Sequence, residues 1–297
     1  MILRSRAKIK QPDAYKTMNS GKTILITGAT DGLGKLMAMR LAARGDRVLL
    51  HGRNPAKGRA VVAEIRQATG NQELHYYNAD LASLRQAREL AAAVVRDQPR
   101  LDVLVNNAGI GPVSTDSPRR ESPDGNELFF AVNYLSGCVL ALALLPLLRE
   151  SAPARIVNVA SIGQQALDFD DVMLRSSYDD ARAYRQSKLA QIMFTFDLAG
   201  DLEGSGISVN CLHPATLMNT AMVSNSKYFP AAMTTTEQGA DALEQLILSP
   251  QLAGVTGAFY NGLDQAQAHA QAYDPAARKN LRHLTEAALT KVLGGKP

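Results

Sequence analysis

The chain alternates short aliphatic runs with longer segments of helical periodicity, and this alternation restricts it to few architectures. Several runs are continuously apolar, as in Val103-Leu104-Val105, which is typical of strands buried on both faces of a parallel sheet. The predicted strands are residues 23–27, 47–51, 73–77, 101–106, 154–160, 207–212 and 257–260. The predicted helices between and after them are residues 33–44, 55–69, 83–97, 125–135, 137–150, 180–203 and 236–248.

Helix boundary signals support this segmentation. Asn54 precedes Pro55 as an N-cap, and Gly45 follows the first helix as a C-terminal stop. Strand–helix alternation of this kind predicts repeated βαβ units with right-handed crossovers. One continuous alternation favours a single doubly wound α/β domain over two domains.

Net charge separates a short N-terminal arm from the rest of the chain. The 297 residues hold 32 Lys and Arg against 28 Asp and Glu, a formal charge of +4. Residues 1–20 account for all of that excess, and residues 21–297 are balanced. A folded domain with balanced charge provides no general basic field for nucleic acid. The arm is interpreted as a solvated terminus or as a weak contact for an anionic surface.

Nothing in the sequence predicts a membrane span, a secretory signal or a metal site. The longest apolar run, residues 138–148, is too short to cross a bilayer, and residues 1–20 lack the apolar core of a signal peptide. The two cysteines, Cys138 and Cys211, have no metal-ligand spacing. We therefore expect a cytoplasmic protein without a metal or an integral membrane segment.

A glycine-rich turn follows the first predicted strand. Gly28, Gly32 and Gly34 lie where that strand turns into a helix. Glycines there let the backbone approach a pyrophosphate, and the helix N-terminus directs free N–H groups at it. This position predicts a dinucleotide site, the alternative being a purely structural turn.

The end of the second strand indicates which dinucleotide. An NAD site usually has an acidic residue there for the ribose 2′-hydroxyl, whereas this chain has Gly52 followed by Arg53. A guanidinium pairs well with a 2′-phosphate, so the sequence predicts NADP(H). The alternative is that Arg53 is a solvated loop residue. Asp31 in the glycine turn is a counter-signal, because an acid adds nothing favourable near a phosphate.

Tyr184 and Lys188 are four residues apart in a predicted helix, so their side chains project from the same face. An ammonium near a tyrosine stabilises the phenolate, which makes the pair a candidate proton donor and acceptor. Ser161 ends the fifth strand, at the edge where doubly wound sheets bind ligands. Its hydroxyl is a candidate hydrogen-bond donor to a substrate oxygen, the alternative being an ordinary turn residue.

These features together resemble the short-chain dehydrogenase/reductase family over about residues 23–262. The matching motifs are the Thr-Gly-x-x-x-Gly-x-Gly turn at 27–34, Asp80-Leu81, Asn106-Asn107-Ala108-Gly109, Asn133, Ser161 and Tyr184-x-x-x-Lys188. The resemblance implies a Rossmann fold with a seven-stranded parallel sheet, helices on both faces and hydride transfer with a nicotinamide cofactor.

The resemblance also implies residue roles. Tyr184 is expected to be the catalytic acid/base, Lys188 to bind the nicotinamide ribose and lower the pKa of the tyrosine, Ser161 to stabilise the substrate oxygen, and Asn133 to support a water relay. The expected cofactor-binding residues are Gly28, Thr30, Asp31, Gly32, Leu33, Gly34, Arg53, Asp80, Leu81, Asn107, Ala108, Gly109, Tyr184, Lys188, Pro214 and Leu217. Simpler alternatives are that Asn106 and Asn107 cap a strand and that Asp80 caps the next helix.

Within the family the chain is most similar to the retinol-dehydrogenase-like group. The similarity lies in the gap from Ser161 to Tyr184, in Tyr184-x-Gln-Ser-Lys-Leu-Ala, in residues 237–250 and in the extension at 271–274. Members of that group often have a hydrophobic N-terminal anchor, which is missing here, so a soluble form is expected. The chain departs from the family at Ala215, where glycine is common after Pro214, and the backbone of Leu217 is the expected contact for the cofactor carboxamide.

The sequence therefore predicts an NADP(H)-dependent oxidoreductase, a ketoreductase acting on a small hydrophobic carbonyl or alcohol, in the reductive direction. Residues 215–235 are the expected substrate lid, and a helical extension is expected after the last strand. Residues 138–148 resemble a helix that packs in family dimers, which suggests a homodimer or homotetramer, the alternative being burial within one subunit. Two alternatives to reduction are net-neutral chemistry such as epimerisation or cyclisation, and a cofactor-binding sensor without turnover.

Overall fold

The computed structural model describes residues 21–114, 117–229 and 231–295. The predicted basic arm, residues 1–20, lies outside the described residues. Eight strands form one sheet in the order β3-β2-β1-β4-β5-β6-β7-β8. The strands are β1 Thr23–Ile26, β2 Arg47–Gly52, β3 Leu74–Asn78, β4 Val103–Asn106, β5 Ala154–Val159, β6 Ile207–His213, β7 Phe259–Asn261 and β8 Asp264–Ala266.

Helices cover both faces of this sheet. The main helices are α1 Gly32–Ala43, α2 Pro55–Thr69, α3 Leu84–Asp97, α4 Ser136–Glu150, α5 Asp180–Asp201, α6 Ala221–Ser224, α7 Thr236–Leu248 and α8 Pro275–Leu293. One apolar core joins the sheet to α1, α2 and α7, and a second joins its other face to α3, α4, α5 and α8. The first seven strands are parallel. Their carboxyl ends therefore share one edge, and that edge carries the candidate site.

The doubly wound α/β prediction is confirmed, but the sheet has eight strands rather than seven. β8 runs antiparallel to β7 and pairs Asp264 with Asn261. Its three residues, Asp264-Gln265-Ala266, form a largely exposed edge strand without an aliphatic run. A strand of this kind has no hydrophobic pattern to identify it in the sequence.

The two helices predicted at 125–135 and 137–150 are one continuous helix. It begins at Leu128 and passes through a π-helical turn, Phe130–Leu135, into α4. The buried Glu127 carboxylate caps its start by accepting bonds from the Phe129 and Phe130 N–H groups at 3.0 and 2.7 Å. A π turn has the same apolar pattern as α-helix, so the sequence does not reveal it.

This continuous helix is longer than the apolar run identified in the sequence. Phe130–Glu150 is 21 residues long with a mean hydropathy of 2.0, which suffices to span a bilayer by length and composition. The expectation that the apolar run is too short is therefore wrong. Of that apolar window, 67% is buried inside the fold, which is the behaviour of a core helix.

Candidate active site

The glycine turn wraps tightly around the end of β1. Gly28 and Gly32 have φ angles of +66° and +45°, which favour glycine. A Cβ atom at Gly28 would lie 3.0 Å from the Ala108 Cα, and one at Gly34 would overlap the Gly28 carbonyl. The turn therefore leaves bare backbone at the N-terminus of α1, which fits a pyrophosphate group.

The segment after β4 is bonded to this turn. The Thr27 hydroxyl accepts bonds from the Asn107 and Ala108 N–H groups at 3.0 and 2.9 Å. The Asn107 side chain donates to the Thr27 carbonyl at 2.8 Å. The structure thus places residues 107–109 next to the glycine turn, and Asn107 bonds the turn rather than only capping β4.

Asp31 has a structural role that its sequence position did not suggest. Its carboxylate accepts a bond from the Gly32 N–H at 2.8 Å, which caps α1, and pairs with the Lys57 ammonium at 2.5 Å. Lys57 is the main cause of the lowered pKa of Asp31, with the Gly32 N–H also contributing. The negative charge in the turn is therefore compensated by a cation from α2.

The end of β2 has the composition expected for a 2′-phosphate site. Arg53 is exposed, and no ion pair to it is found within the described part of the chain. Gly52 lies against Thr30, because a Cβ atom at Gly52 would be 2.6 Å from the Thr30 Cγ2. Asn54 caps α2 immediately afterwards, with its side chain accepting from Ala56 and Lys57. An acidic side chain for a ribose 2′-hydroxyl is absent from 52–54.

His51, near the end of β2, makes hydrogen bonds that the sequence analysis did not identify. Its Nδ1 accepts a bond from the Gly28 N–H at 3.3 Å, so Nε2 carries the proton and donates to the Ala79 carbonyl at 3.0 Å. Burial lowers the pKa of His51 to about 4, which keeps the ring neutral. His51 therefore joins the glycine turn to the strand end that precedes Asp80. The signal in the sequence was a histidine in an otherwise apolar stretch of β2.

Asp80 and Leu81 follow β3 as predicted for the adenine side of the site. The Asp80 carboxylate accepts from the Ala82 N–H at 3.0 Å, and Leu81 is buried. Ser83, not Asp80, caps α3 through the Gln86 N–H. The interpretation of Asp80 as the helix cap is therefore wrong.

Ser161, Tyr184 and Lys188 come together at the carboxyl end of β5. The Ser161 hydroxyl accepts from the Gly163 N–H at 3.0 Å and bonds the Tyr184 side chain. The Lys188 ammonium lies 6.0 Å from the centroid of the Tyr184 ring. The i, i+4 prediction is confirmed in its geometry, since both side chains face the same space.

Burial governs the charge states of this group. It raises the pKa of Tyr184, with the Ser161 hydrogen bond acting in the opposite direction. The expected lowering of that pKa is therefore wrong for this structure. Burial also lowers the pKa of Lys188 to about 8. The ammonium donates to the Val159 carbonyl at 2.8 Å and to the Gln191 side chain at 3.3 Å, a partner that sequence reasoning missed.

Asn133 lies in the π turn and bonds two neighbouring elements. Its Oδ1 accepts from the Ile110 N–H at 2.8 Å, while its Nδ2 donates to the Ile110 carbonyl at 3.1 Å and to the Ser187 hydroxyl at 3.0 Å. A Cβ atom at Gly109 would lie 3.1 Å from Asn133 Oδ1 and 3.6 Å from Lys188 Nζ. Asn133, Gly109 and Lys188 therefore surround one small space.

The described part of the expected lid, residues 215–229 and 231–235, folds back over this edge. Leu217 follows Pro214 and has a φ of +49°, rare for a residue with a side chain. Its carbonyl accepts from the Met233 N–H at 2.9 Å, which closes the base of the lid. A Cβ atom at Gly32 would be 3.1 Å from Thr220, so the lid begins directly beside the glycine turn.

Three large apolar side chains are exposed in the segments that follow the carboxyl ends of β4, β5 and β6. Val113, Ile162 and Met222 follow β4, β5 and β6 and are 46%, 48% and 40% exposed. Exposed apolar side chains mark a binding surface where they form one contiguous patch.

Comparisons with known proteins agree with this arrangement. Residues 22–229 match the short chain dehydrogenase family. Human retinol dehydrogenase 13 is 36% identical over 276 residues, covering 88% of this chain and 82% of the relative. Human retinol dehydrogenase 14 is 35% identical over 293 residues, covering 90% and 85%.

Solved structures give the same assignment. A short-chain dehydrogenase from Shigella flexneri 2a, complexed with NADP, has a TM-score of 0.66 and 29% identity, with 82% of this chain and 97% of that chain covered. One from Escherichia coli CFT073, complexed with NADPH, has a TM-score of 0.67 and 28% identity over the same shares. The chain is therefore an oxidoreductase of the short-chain dehydrogenase family, closest to its retinol-dehydrogenase-like group.

Proposed function

We propose that the protein is an NADP(H)-dependent reductase that interconverts a small hydrophobic carbonyl compound and its alcohol. The observation that carries this proposal is the convergence of Ser161, Tyr184 and Lys188 beside the glycine turn and beneath an apolar lid. A cofactor-binding sensor would not need this acid/base group, so the arrangement favours turnover.

The residues at the turn fit a nicotinamide dinucleotide. The backbone of residues 28–34 would hold the pyrophosphate, and residues 107–109 and Asp80-Leu81 would flank the adenosine half. Arg53 would pair with a 2′-phosphate, since a guanidinium binds phosphate through a planar fork. The two solved relatives complexed with NADP and NADPH support the same cofactor. When bound, the cofactor supplies or accepts the hydride.

The side chains of this chain manage the proton and the substrate oxygen. Tyr184 is partly buried and its pKa is raised, so it is protonated at neutral pH and ready to donate to a substrate oxygen. The Ser161 hydroxyl holds the same oxygen. Lys188, with a pKa of about 8, is mainly charged at pH 7 and stabilises the phenolate that remains. Asn133 holds the π turn beside them and supports return of the proton from solvent.

The exposed apolar residues indicate the substrate class. Val113, Ile162 and Met222 are exposed in the segments that follow β4, β5 and β6, and Phe229 of the lid lies against Gly111. A hydrophobic aldehyde or ketone gains free energy by covering such side chains. The names of the relatives, retinol dehydrogenases 13 and 14, agree with an apolar aldehyde or alcohol as substrate.

A panel of carbonyl compounds tests the proposal. Decanal, all-trans-retinal, acetophenone and propanal are each incubated with NADPH or NADH while the loss of cofactor absorbance is followed. We expect the long apolar aldehydes to be reduced with one NADPH consumed per alcohol formed, and NADH to be at least tenfold poorer. Conversion of a substrate without net NADPH consumption would favour epimerisation or cyclisation instead.

Location and assembly remain predictions. A cytoplasmic protein is expected, and cell fractionation tests it. A homodimer or homotetramer through α4 is expected because Leu142, Ala143 and Leu145 are only partly buried by the described chain. Light scattering measures the mass in solution, and a monomer would rule out the α4 interface.

A further inference from the structure

Arg185, the residue after Tyr184, connects the catalytic helix to the lid. Its guanidinium donates a hydrogen bond to the Tyr228 hydroxyl at 2.7 Å. Its stem passes the loop after β5, since a Cβ atom at Gly163 would lie 3.9 Å from Arg185 Cγ and 3.4 Å from the Ser161 hydroxyl. The side chain therefore extends from beside the catalytic group to the lid.

The opposite side of the lid is fastened to the loop after β4. The Ser226 hydroxyl donates to the Pro112 carbonyl at 2.6 Å, and the Lys227 N–H donates to the Val113 carbonyl at 2.8 Å. Met222 also covers Gly111, because a Cβ atom there would lie 2.7 Å from the Met222 Cγ. This side has three contacts, and one of them, from the Lys227 N–H to the Val113 carbonyl, joins backbone atoms that side-chain replacement does not remove.

The side of the lid that faces α5 is joined to that helix by a single hydrogen bond. Within residues 21–114, 117–229 and 231–295, the Arg185–Tyr228 bond is the only one between the lid and α5. The guanidinium has no carboxylate partner within the same residues. Opening the lid on this side thus requires that one bond to break, while the contacts to Pro112 and Val113 act as the hinge side.

We propose that Arg185 is a positioning residue that holds the lid over Tyr184 by bonding Tyr228, and that it thereby sets the affinity for long apolar substrates. The proposal rests on the function given above, because it assigns the same opening to the substrate. Tyr228 packs edge-on against Phe229, with ring centroids 5.3 Å apart, so fixing one ring fixes the other. Arg185 acts through these rings and does not itself touch the reacting atoms.

The first test measures lid opening without turnover. Trypsin cleaves after Lys227, an exposed lysine within the lid, and cleavage of a folded segment requires local opening. In Arg185→Gln and in Tyr228→Phe we expect cleavage at this bond to be about tenfold faster, the effect of losing one hydrogen bond to a charged group. The double variant should be no faster than either single variant, because both remove the same bond.

Arg182→Gln is the matched control for proteolysis. Arg182 lies one turn earlier on α5 but pairs with Asp168 in another loop, at 2.9 Å. Its loss should leave cleavage after Lys227 unchanged. Equal acceleration in Arg182→Gln, or unchanged cleavage in both Arg185→Gln and Tyr228→Phe, would overturn the proposal.

The second test separates substrate affinity from chemistry. The KM for decanal should rise about tenfold in Arg185→Gln and Tyr228→Phe, with kcat within about threefold of wild type and the KM for propanal unchanged. Lys227→Gln removes a neighbouring lid cation and should change none of these values. A kcat loss with unchanged KM would overturn the positioning role.

The two tests also distinguish a failure of the proposed function from a failure of the role proposed for Arg185. If the wild-type protein does not reduce decanal, the proposed function fails, whereas the trypsin result still decides the role of Arg185. A direct role of Arg185 in binding an anionic substrate would appear as a KM effect on 10-oxodecanoate in Arg185→Gln that is missing in Tyr228→Phe. That outcome would replace the lid role.

Discussion

The side-chain amide of Asn133 donates to the Ser187 hydroxyl at 3.0 Å, and that hydroxyl donates to the Tyr184 carbonyl at 2.7 Å. The π turn is thereby bonded to the backbone of the proposed catalytic residue. Because Asn133 also bonds both backbone groups of Ile110, it positions the β4 loop and α5 relative to each other.

Replacing Asn133 should therefore affect both turnover and stability. In Asn133→Ala the Ile110 groups lose buried partners, and we expect the free energy of unfolding to fall by about 2 kcal/mol. A comparable loss of positioning would reduce kcat roughly 10- to 100-fold. Ser187→Ala, which leaves the Ile110 bonds intact, should show a smaller effect on both. Urea unfolding and steady-state kinetics provide the values, and an Asn133→Ala enzyme with wild-type kcat would contradict this role.

Arg53 should determine the preference between the two nicotinamide dinucleotides. Arg53→Ala should weaken NADPH binding about 10- to 100-fold, because a charged, forked contact to the 2′-phosphate is lost, and should leave NADH binding unchanged. Arg59, an exposed arginine in α2, provides the control variant Arg59→Ala. Cofactor fluorescence titration measures both affinities. An equal loss for NADPH and NADH would rule out a 2′-phosphate contact.

The Asp31–Lys57 pair should set the local charge where the phosphates of the cofactor are proposed to bind. Asp31→Asn keeps a side-chain acceptor for the Gly32 N–H but removes one negative charge and releases Lys57. We expect NADPH to bind roughly fivefold more tightly, from a surface charge interaction of about 1 kcal/mol. Lys57→Gln should have the opposite effect. Stability should change by less than about 1 kcal/mol, since both side chains are about half exposed. Tighter NADPH binding in Lys57→Gln would contradict this account.

The buried His51 should make the fold less stable in acid. Its pKa is about 4 in the folded chain, and an unfolded histidine has a pKa of about 6.5. Between these values the unfolded chain binds the extra proton, so the free energy of unfolding falls as pH decreases through this window. From pH 7.5 to pH 5 this contribution is about 2 kcal/mol.

Urea unfolding at the two pH values measures the effect. Wild type should lose about 2 kcal/mol more than His51→Gln over this interval. His75→Gln is the control because His75 is exposed on β3, and it should behave like wild type. Parallel losses in wild type and His51→Gln would show that His51 does not carry the proton linkage.

Much of the fold follows from local sequence patterns. The bounds predicted for α2 and α7, residues 55–69 and 236–248, agree with the structure because Asn54 and Thr235 cap these helices with local hydrogen bonds. The strands were identifiable because β1, β4 and β5 are apolar and buried. β8 and the π turn were missed because neither has a pattern of its own: the first is polar and the second is apolar like any core helix.

In the candidate site, too, local sequence patterns were predictable and contacts between distant residues were not. The glycine turn, Ser161 and the Tyr184–Lys188 spacing are local patterns and were identifiable in the sequence. The bonds of His51 to Gly28, Lys188 to Val159 and Arg185 to Tyr228 join residues 23 to 43 positions apart. Contacts at such separations depend on how the elements pack, and a single sequence does not specify them.

The most direct measurement of the central claim follows a label from the cofactor to the product. The protein is incubated with decanal and NADPH that carries deuterium in both hydrogen positions at carbon 4, and the decanol is analysed by mass spectrometry beside a Tyr184→Phe variant. The account predicts one deuterium at carbon 1 of decanol per NADPH consumed, a kcat in Tyr184→Phe lower by about 10²- to 10⁴-fold, and nearly unchanged NADPH binding. Unlabelled product, or a Tyr184→Phe enzyme with near-wild-type turnover, would contradict it.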